Sequence, residues 1–199
     1  MAARRVAQFQ EMFRVAVTWW PFELHPETPV EGRDVDEIIA PSRRTQEYRD
    51  HLKAYAAEAG IKLASNRIVA NSHRALELAE FARDNGKFDQ VHDRLFEAYF
   101  EEAKNIGDDE VVTAIAEEAG LDVDAWRTEM VLGRYRQLID HTTNLARQQG
   151  VTSTPTMIFD DKFVLLGAQE LQTYVDVLTR LGAERIDGEQ PGPDGEPPA

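Results

Sequence analysis

Not one of the 199 residues is cysteine, which excludes disulfides, thiolate metal centres and dithiol chemistry by the side chains of this polypeptide. Long apolar runs are also missing. No stretch approaches the roughly 20 apolar residues of a membrane-spanning helix, and the N-terminus lacks the apolar core of a signal peptide. Positive charge is scarce: 22 Lys and Arg stand against 36 Asp and Glu, a formal net charge of −14. Such a surface repels phosphate backbones and anionic lipid heads, so nucleic acid and membrane surfaces are not expected as partners. There is no Gly-x-Ser-x-Gly elbow and no glycine-rich phosphate loop, which leaves hydrolase and nucleotide-enzyme readings unsupported. A soluble, cytoplasmic protein without cofactor is expected.

What is present suffices for one folded domain, with 42% hydrophobic residues in 199 and no need of covalent staples. Val6, Phe9 and Phe13 recur at helical spacing from the first residues onward. Arg14 to Trp20 alternates Val15, Val17 and Trp19 with Ala16, Thr18 and Trp20, the pattern of a short strand stopped by Pro21. Between Asp34 and Gln149 the spacing is helical almost throughout. One helix runs from Ser42 to Ala59 and ends at Gly60, and Asn71 or Ser72 caps another that ends at Gly86. The Phe88 to Phe100 stretch, a helix capped by Asp108, one opened by Asp122 or Asp124, and one from Tyr135 to Gln149 complete the block. After Gly150 the period changes. Thr156–Phe159 and Phe163–Leu166 read as a hairpin around Asp160-Asp161-Lys162, and Ala168–Leu181 as an amphipathic helix.

This order, helix, strand, helical block, strand, strand, helix, is that of an α/β thioredoxin-like fold with a large α-helical insertion, lacking its first, central strand. The expected organisation is a partial N-terminal part of that domain in residues 1–33, the helical insertion in 34–149, the hairpin and last helix in 150–182, and a disordered acidic tail in 183–199. Val17-Thr18-Trp19-Trp20-Pro21-Phe22-Glu23-Leu24, with His25-Pro26-Glu27-Thr28-Pro29, resembles the segment after the first helix in DsbA-like thioredoxin-fold oxidoreductases of the FrnE type. Asn71-Ser72-His73-Arg74-Ala75-Leu76, Leu95-Phe96-Glu97-Ala98-Tyr99-Phe100, Gly120-Leu121-Asp122, Gly150 through Pro155 and Gly167-Ala168-Gln169 are similar to later landmarks of that family, in the same order. The resemblance spans about Ala2 to Leu181.

The resemblance implies thiol–disulfide exchange through a mixed disulfide, with an extended peptide or a protein thiol or disulfide as substrate. It also implies a Cys-x-x-Cys motif at the N-terminus of the first helix, to which no position here corresponds, so no catalytic residue is assigned. A truncated sequence, inactive in dithiol exchange as it stands, is therefore expected. Loss of the central strand is expected to leave Val15–Trp19 and Met157–Phe159 about two strand spacings apart, roughly 10 Å, with unpaired edges through which the chain could oligomerise. Related folds supply an alternative, a glutathione-dependent 2-hydroxychromene-2-carboxylate isomerase with serine in place of the first cysteine. A non-catalytic peptide-binding module is a third.

The resemblance further implies a cis peptide before Pro155, with Ser153, Thr154 and Pro155 lining a groove where a peptide adds as a strand. Trp19 and Trp20 are expected in the core, the alternative being a substrate-facing aromatic surface with Phe22. The histidines His25, His51, His73, His92 and His141 are expected at surfaces or caps, without the His–Glu spacing of a zinc-binding helix, and no metal site is expected. The acid pairs Asp108-Asp109, Glu117-Glu118 and Asp160-Asp161 fit a helix start, a helix face and a turn.

Overall fold

The computed structural model describes residues 1–38, 40–41, 45–58, 60–64 and 68–186. In chain order the elements are α1 (Ala2–Met12), β1 (Arg33–Asp34), α2 (Val35–Ile38), α3 (Gln46–Glu58), β2 (Ile68–Val69), α4 (His73–Asp84) and α5 (Phe88–Phe96). After a π-helical turn, Glu97–Glu101, come α6 (Asp109–Glu118), α7 (Val123–Leu132), α8 (Arg134–Gln148), β3 (Thr156–Phe159), β4 (Phe163–Leu166) and α9 (Leu171–Arg180). They form two compact units, one of residues 20–150 and one of residues 1–19 with those from 151 onward.

The larger unit is helical, apart from β1 paired antiparallel to β2. Its starts and stops follow from side-chain chemistry. Asp108 accepts from the Glu110 N–H at 2.8 Å, and Asp122 accepts from the Asp124 and Ala125 N–H groups at 3.0 Å, so α6 and α7 begin where their orphan donors find a carboxylate. Asn71 accepts from the His73 N–H at 2.9 Å and starts α4 in the same way. The core is laid down by Leu78, Ala82, Val91, Val112, Ile115 and Trp126, all nearly inaccessible. Burying a side chain of the size of Leu or Val contributes about 1.5–3 kcal/mol, so this cluster dominates the stability of the unit. The expected helix ends at Ser42 and Ala59 lie outside the described residues.

In the smaller unit α1 packs on α9, with Phe9 and Tyr174 rings 5.7 Å apart between centroids. The hairpin lays Met157, Phe159 and Leu165 on the same core, and left-handed φ angles at Asp160 and Asp161 make its turn. Such angles match the right-handed twist of the flanking strands, and Asp tolerates them better than most residues.

Residues 14–20 differ from expectation. Burial alternates as in a strand, with Val15, Val17 and Trp19 against the core and Arg14, Ala16, Thr18 and Trp20 exposed. Yet no ladder forms: Phe13 makes an isolated bridge with Arg185, and the Arg14 N–H donates to the Glu184 carbonyl at 2.8 Å. The backbone of Val15 through Thr18 has no hydrogen-bond partner among the described residues. Period-two burial needs only a core on one side, whereas a strand needs a neighbour, and none is present among the described residues. Trp20, expected in the core, is 65% exposed. Glu184, Arg185 and Ile186, expected within a disordered tail, bond back to the end of α1 and the residues after it; residues 187–199 lie outside the described ones.

Candidate functional site

Ser153, Thr154 and Pro155 precede β3, and the Thr154–Pro155 peptide is cis. The Pro155 carbonyl accepts from the Gly167 N–H at 2.8 Å. An antiparallel ladder alternates the direction of its bonds, so with the register Met157↔Leu165 and Phe159↔Phe163 these two β3 residues bond toward β4. The N–H and C=O groups of Thr156 and Ile158 then point to the opposite edge. No third strand meets that edge among the described residues, and the Thr154 backbone makes no hydrogen bond there. The Thr156 hydroxyl donates to the Ser153 carbonyl at 2.7 Å and braces the loop. The Ser153 Oγ is buried without a hydrogen-bond partner among the described residues.

The larger unit holds a second polar constellation. Glu23 is pinned through its backbone: its N–H donates to the Thr143 hydroxyl at 3.0 Å, and Arg147 donates to its carbonyl at 3.1 Å. Its carboxylate, only 5% exposed, lies 3.1 Å from Nδ1 of His73, the first residue of α4. One helical turn on, the Glu77 carboxylate is 1% exposed, with Oε2 accepting from Arg74 at 2.7 Å and Oε1 at 3.8 Å from His73 Nε2 and 3.9 Å from Arg136 Nε. Arg74 also meets Asp109 at 3.1 Å. His73 Nε2 and Glu77 Oε1 are both buried and have no hydrogen-bond partner among the described residues. The pKa of His73 is raised, first by its hydrogen bond to Glu23, against the pull of burial, with the charges of Glu23 and Glu77 adding.

The expectation of surface or cap histidines thus fails at His73, which together with Glu77 does have the four-residue His–Glu spacing. It also fails at His92, whose ring stacks on Phe88 at 5.1 Å and meets Phe96 edge-on at 4.8 Å. His51 and His141 are exposed. Glu23 carried a signal in its place within Pro-Phe-Glu-Leu, and Glu77 in its spacing from His73; the pairing of Glu23 with α4 carried none.

Residues 1–179 match the model of the DSBA-like thioredoxin domain. The chain belongs to that family. The Bacillus subtilis (strain 168) protein YwbO is 27% identical over 164 residues, 79% of this chain and 80% of that one. A probable DsbA oxidoreductase of Streptomyces coelicolor superposes with a TM-score of 0.79 at 22% identity, covering 100% of this chain and 93% of the other. A 2-hydroxychromene-2-carboxylate isomerase superposes with a TM-score of 0.69 at 19% identity over 90% of this chain and 88% of its own. The fold of this DSBA-like domain is the expected thioredoxin-like one with its helical insertion, without a central strand among the described residues, and the chain carries no cysteine. No helix among the described residues is long and apolar enough to cross a membrane.

Proposed function

We propose that this DSBA-like chain holds an extended segment of a partner polypeptide along the open edge of β3, with Ser153, Thr154 and Pro155 at the head of the groove. Dithiol exchange in that groove requires a thiol that this chain does not supply. The carrying observation is the edge of β3 at Thr156 and Ile158, which no strand meets among the described residues, with the Thr154 backbone unbonded just ahead of it. A peptide adding as a strand satisfies the N–H and C=O groups there at a net gain of about 0.5–1.5 kcal/mol for each bond, main-chain pairing giving affinity and side-chain pockets specificity.

A fluorescent, unstructured peptide titrated into the protein is expected to bind saturably and to slow hydrogen exchange at the Thr156 and Ile158 amides. N-methylation of alternate peptide amides is expected to weaken binding about ten-fold, as for the loss of one or two bonds. A peptide that does not bind, or whose N-methylation changes nothing, overturns the reading. In an insulin-reduction assay the chain is expected to stay at the dithiothreitol background, and turnover above it defeats the second half of the proposal. The likeness to the isomerase favours a second reading, glutathione as the ligand of the same loop. Calorimetric binding of glutathione without binding of the extended peptide would select it.

A further inference from the structure

We infer that Glu23, His73 and Asp140 form a binding site for a divalent transition-metal ion, with Glu77 orienting the imidazole from behind. The three residues each present a ligand atom, and those atoms lie within 4.8 Å of one another. Ligands on one ion with bonds of about 2.0–2.2 Å stand about 3–3.5 Å apart. His73 Nδ1 and Glu23 Oε2 already have that spacing at 3.1 Å. Asp140, on α8, is exposed and free to draw in as the third ligand.

Three further observations support a built site. First, Glu23 is held by backbone bonds to Thr143 and Arg147, both on α8 with Asp140, so one rigid helix fixes the spacing of two ligands. Second, metal-bound histidines commonly donate the other ring N–H to a carboxylate. Here His73 Nε2 faces Glu77 Oε1 at 3.8 Å, both atoms buried and neither hydrogen-bonded, so an ion on Nδ1 fixes the tautomer that makes Nε2 the donor for this waiting acceptor. Third, carboxylates outnumber the arginines beside them: Glu23, Glu77, Asp109 and Asp140 stand against Arg74, Arg136 and Arg147, a negative surplus that a cation offsets. One imidazole with carboxylates suits Zn²⁺ or Mn²⁺, and a site without sulfur agrees with a chain that has none to give from cysteine.

The test is calorimetric titration of the full chain, stripped with chelator and dialysed, against Zn²⁺ and Mn²⁺, with Mg²⁺ as comparison. One saturable ion per chain is expected, together with a Zn²⁺-induced shift of the His73 ring NMR signals ahead of those of His51 and His141. Asp140→Asn, a surface change that leaves the core intact, is expected to weaken binding ten-fold or more, and Glu77→Gln about 10–100-fold as an orienting group. Circular dichroism checks that each variant is folded. Absence of saturable binding, or an affinity left unchanged by either Asp140→Asn or His73→Gln, overturns the inference. This site does not depend on peptide capture at β3, and its test involves no peptide.

Discussion

His73 Nδ1 and Glu23 Oε2 lie 3.1 Å apart across fifty positions of sequence, tying the first residue of α4 to the segment that follows Trp20. The imidazole is held above its ordinary pKa by this carboxylate, so folding takes up a proton. The stability it supplies is complete below the unfolded value of about 6.5 and is lost as pH rises through the higher folded value. In the presence of chelator, the melting temperature is expected to fall more steeply above pH of about 6.5 in the wild type than in His73→Gln. Parallel pH profiles for the two proteins would refute this assignment.

His92 has the opposite sign. Burial between Phe88 and Phe96 lowers its pKa, with the nearby Asp93 and Asp89 opposing. The folded state therefore favours the neutral ring, and the contribution present above about pH 6.5 is lost as the pH falls through the lower folded value. His92→Phe keeps an aromatic ring in the stack and removes the titration. Its acid-side loss of stability, read by thermal unfolding across the acidic range, is expected to be smaller than that of the wild type; an unchanged profile would count against burial as the cause.

How legible was this molecule in its sequence? Local chemistry showed clearly: the caps at Asp108 and Asp122, the stop at Gly86 and the hairpin around Asp160 are where residue types dictate them. The order of elements gave the fold class. The segment from Arg14 to Trp20 did not read correctly as a strand, because alternation reports which side faces a core and says nothing about a neighbouring backbone. The Ser153–Pro155 loop was visible as a motif, while the open edge beside it depended on the pairing direction of Pro155 with Gly167. The Glu23–His73 pair was hidden, since a histidine at a helix start has the same local signature whether it caps or is buried against a distant carboxylate.

Leu78 lies on α4 at the centre of the helical core and is fully buried. Leu78→Ala is expected to cost about 2–5 kcal/mol, the lost transfer energy plus the cavity. Urea unfolding should show a lower midpoint with an unchanged slope. Leu132→Ala, at a position 65% exposed, is the control and should change stability by less than about 0.5 kcal/mol. Similar losses at both positions would mean that the core is not centred on α4.

Ser153 offers the sharpest separation of binding from stability. Its hydroxyl is buried with no partner among the described residues, and an unsatisfied buried polar group costs about 1–3 kcal/mol. Ser153→Ala removes that cost and is expected to stabilise the free protein by about 1 kcal/mol. Thr156→Val, by contrast, deletes the donor to the Ser153 carbonyl and should destabilise it by about 0.5–1.5 kcal/mol. If an arriving peptide supplies the missing partner for Ser153, the more stable Ser153→Ala variant binds the peptide more weakly than the wild type. Calorimetric unfolding and peptide anisotropy on the same samples measure the two effects. A Ser153→Ala protein that is both less stable and equally competent in binding would mean that the hydroxyl serves the fold and not the groove.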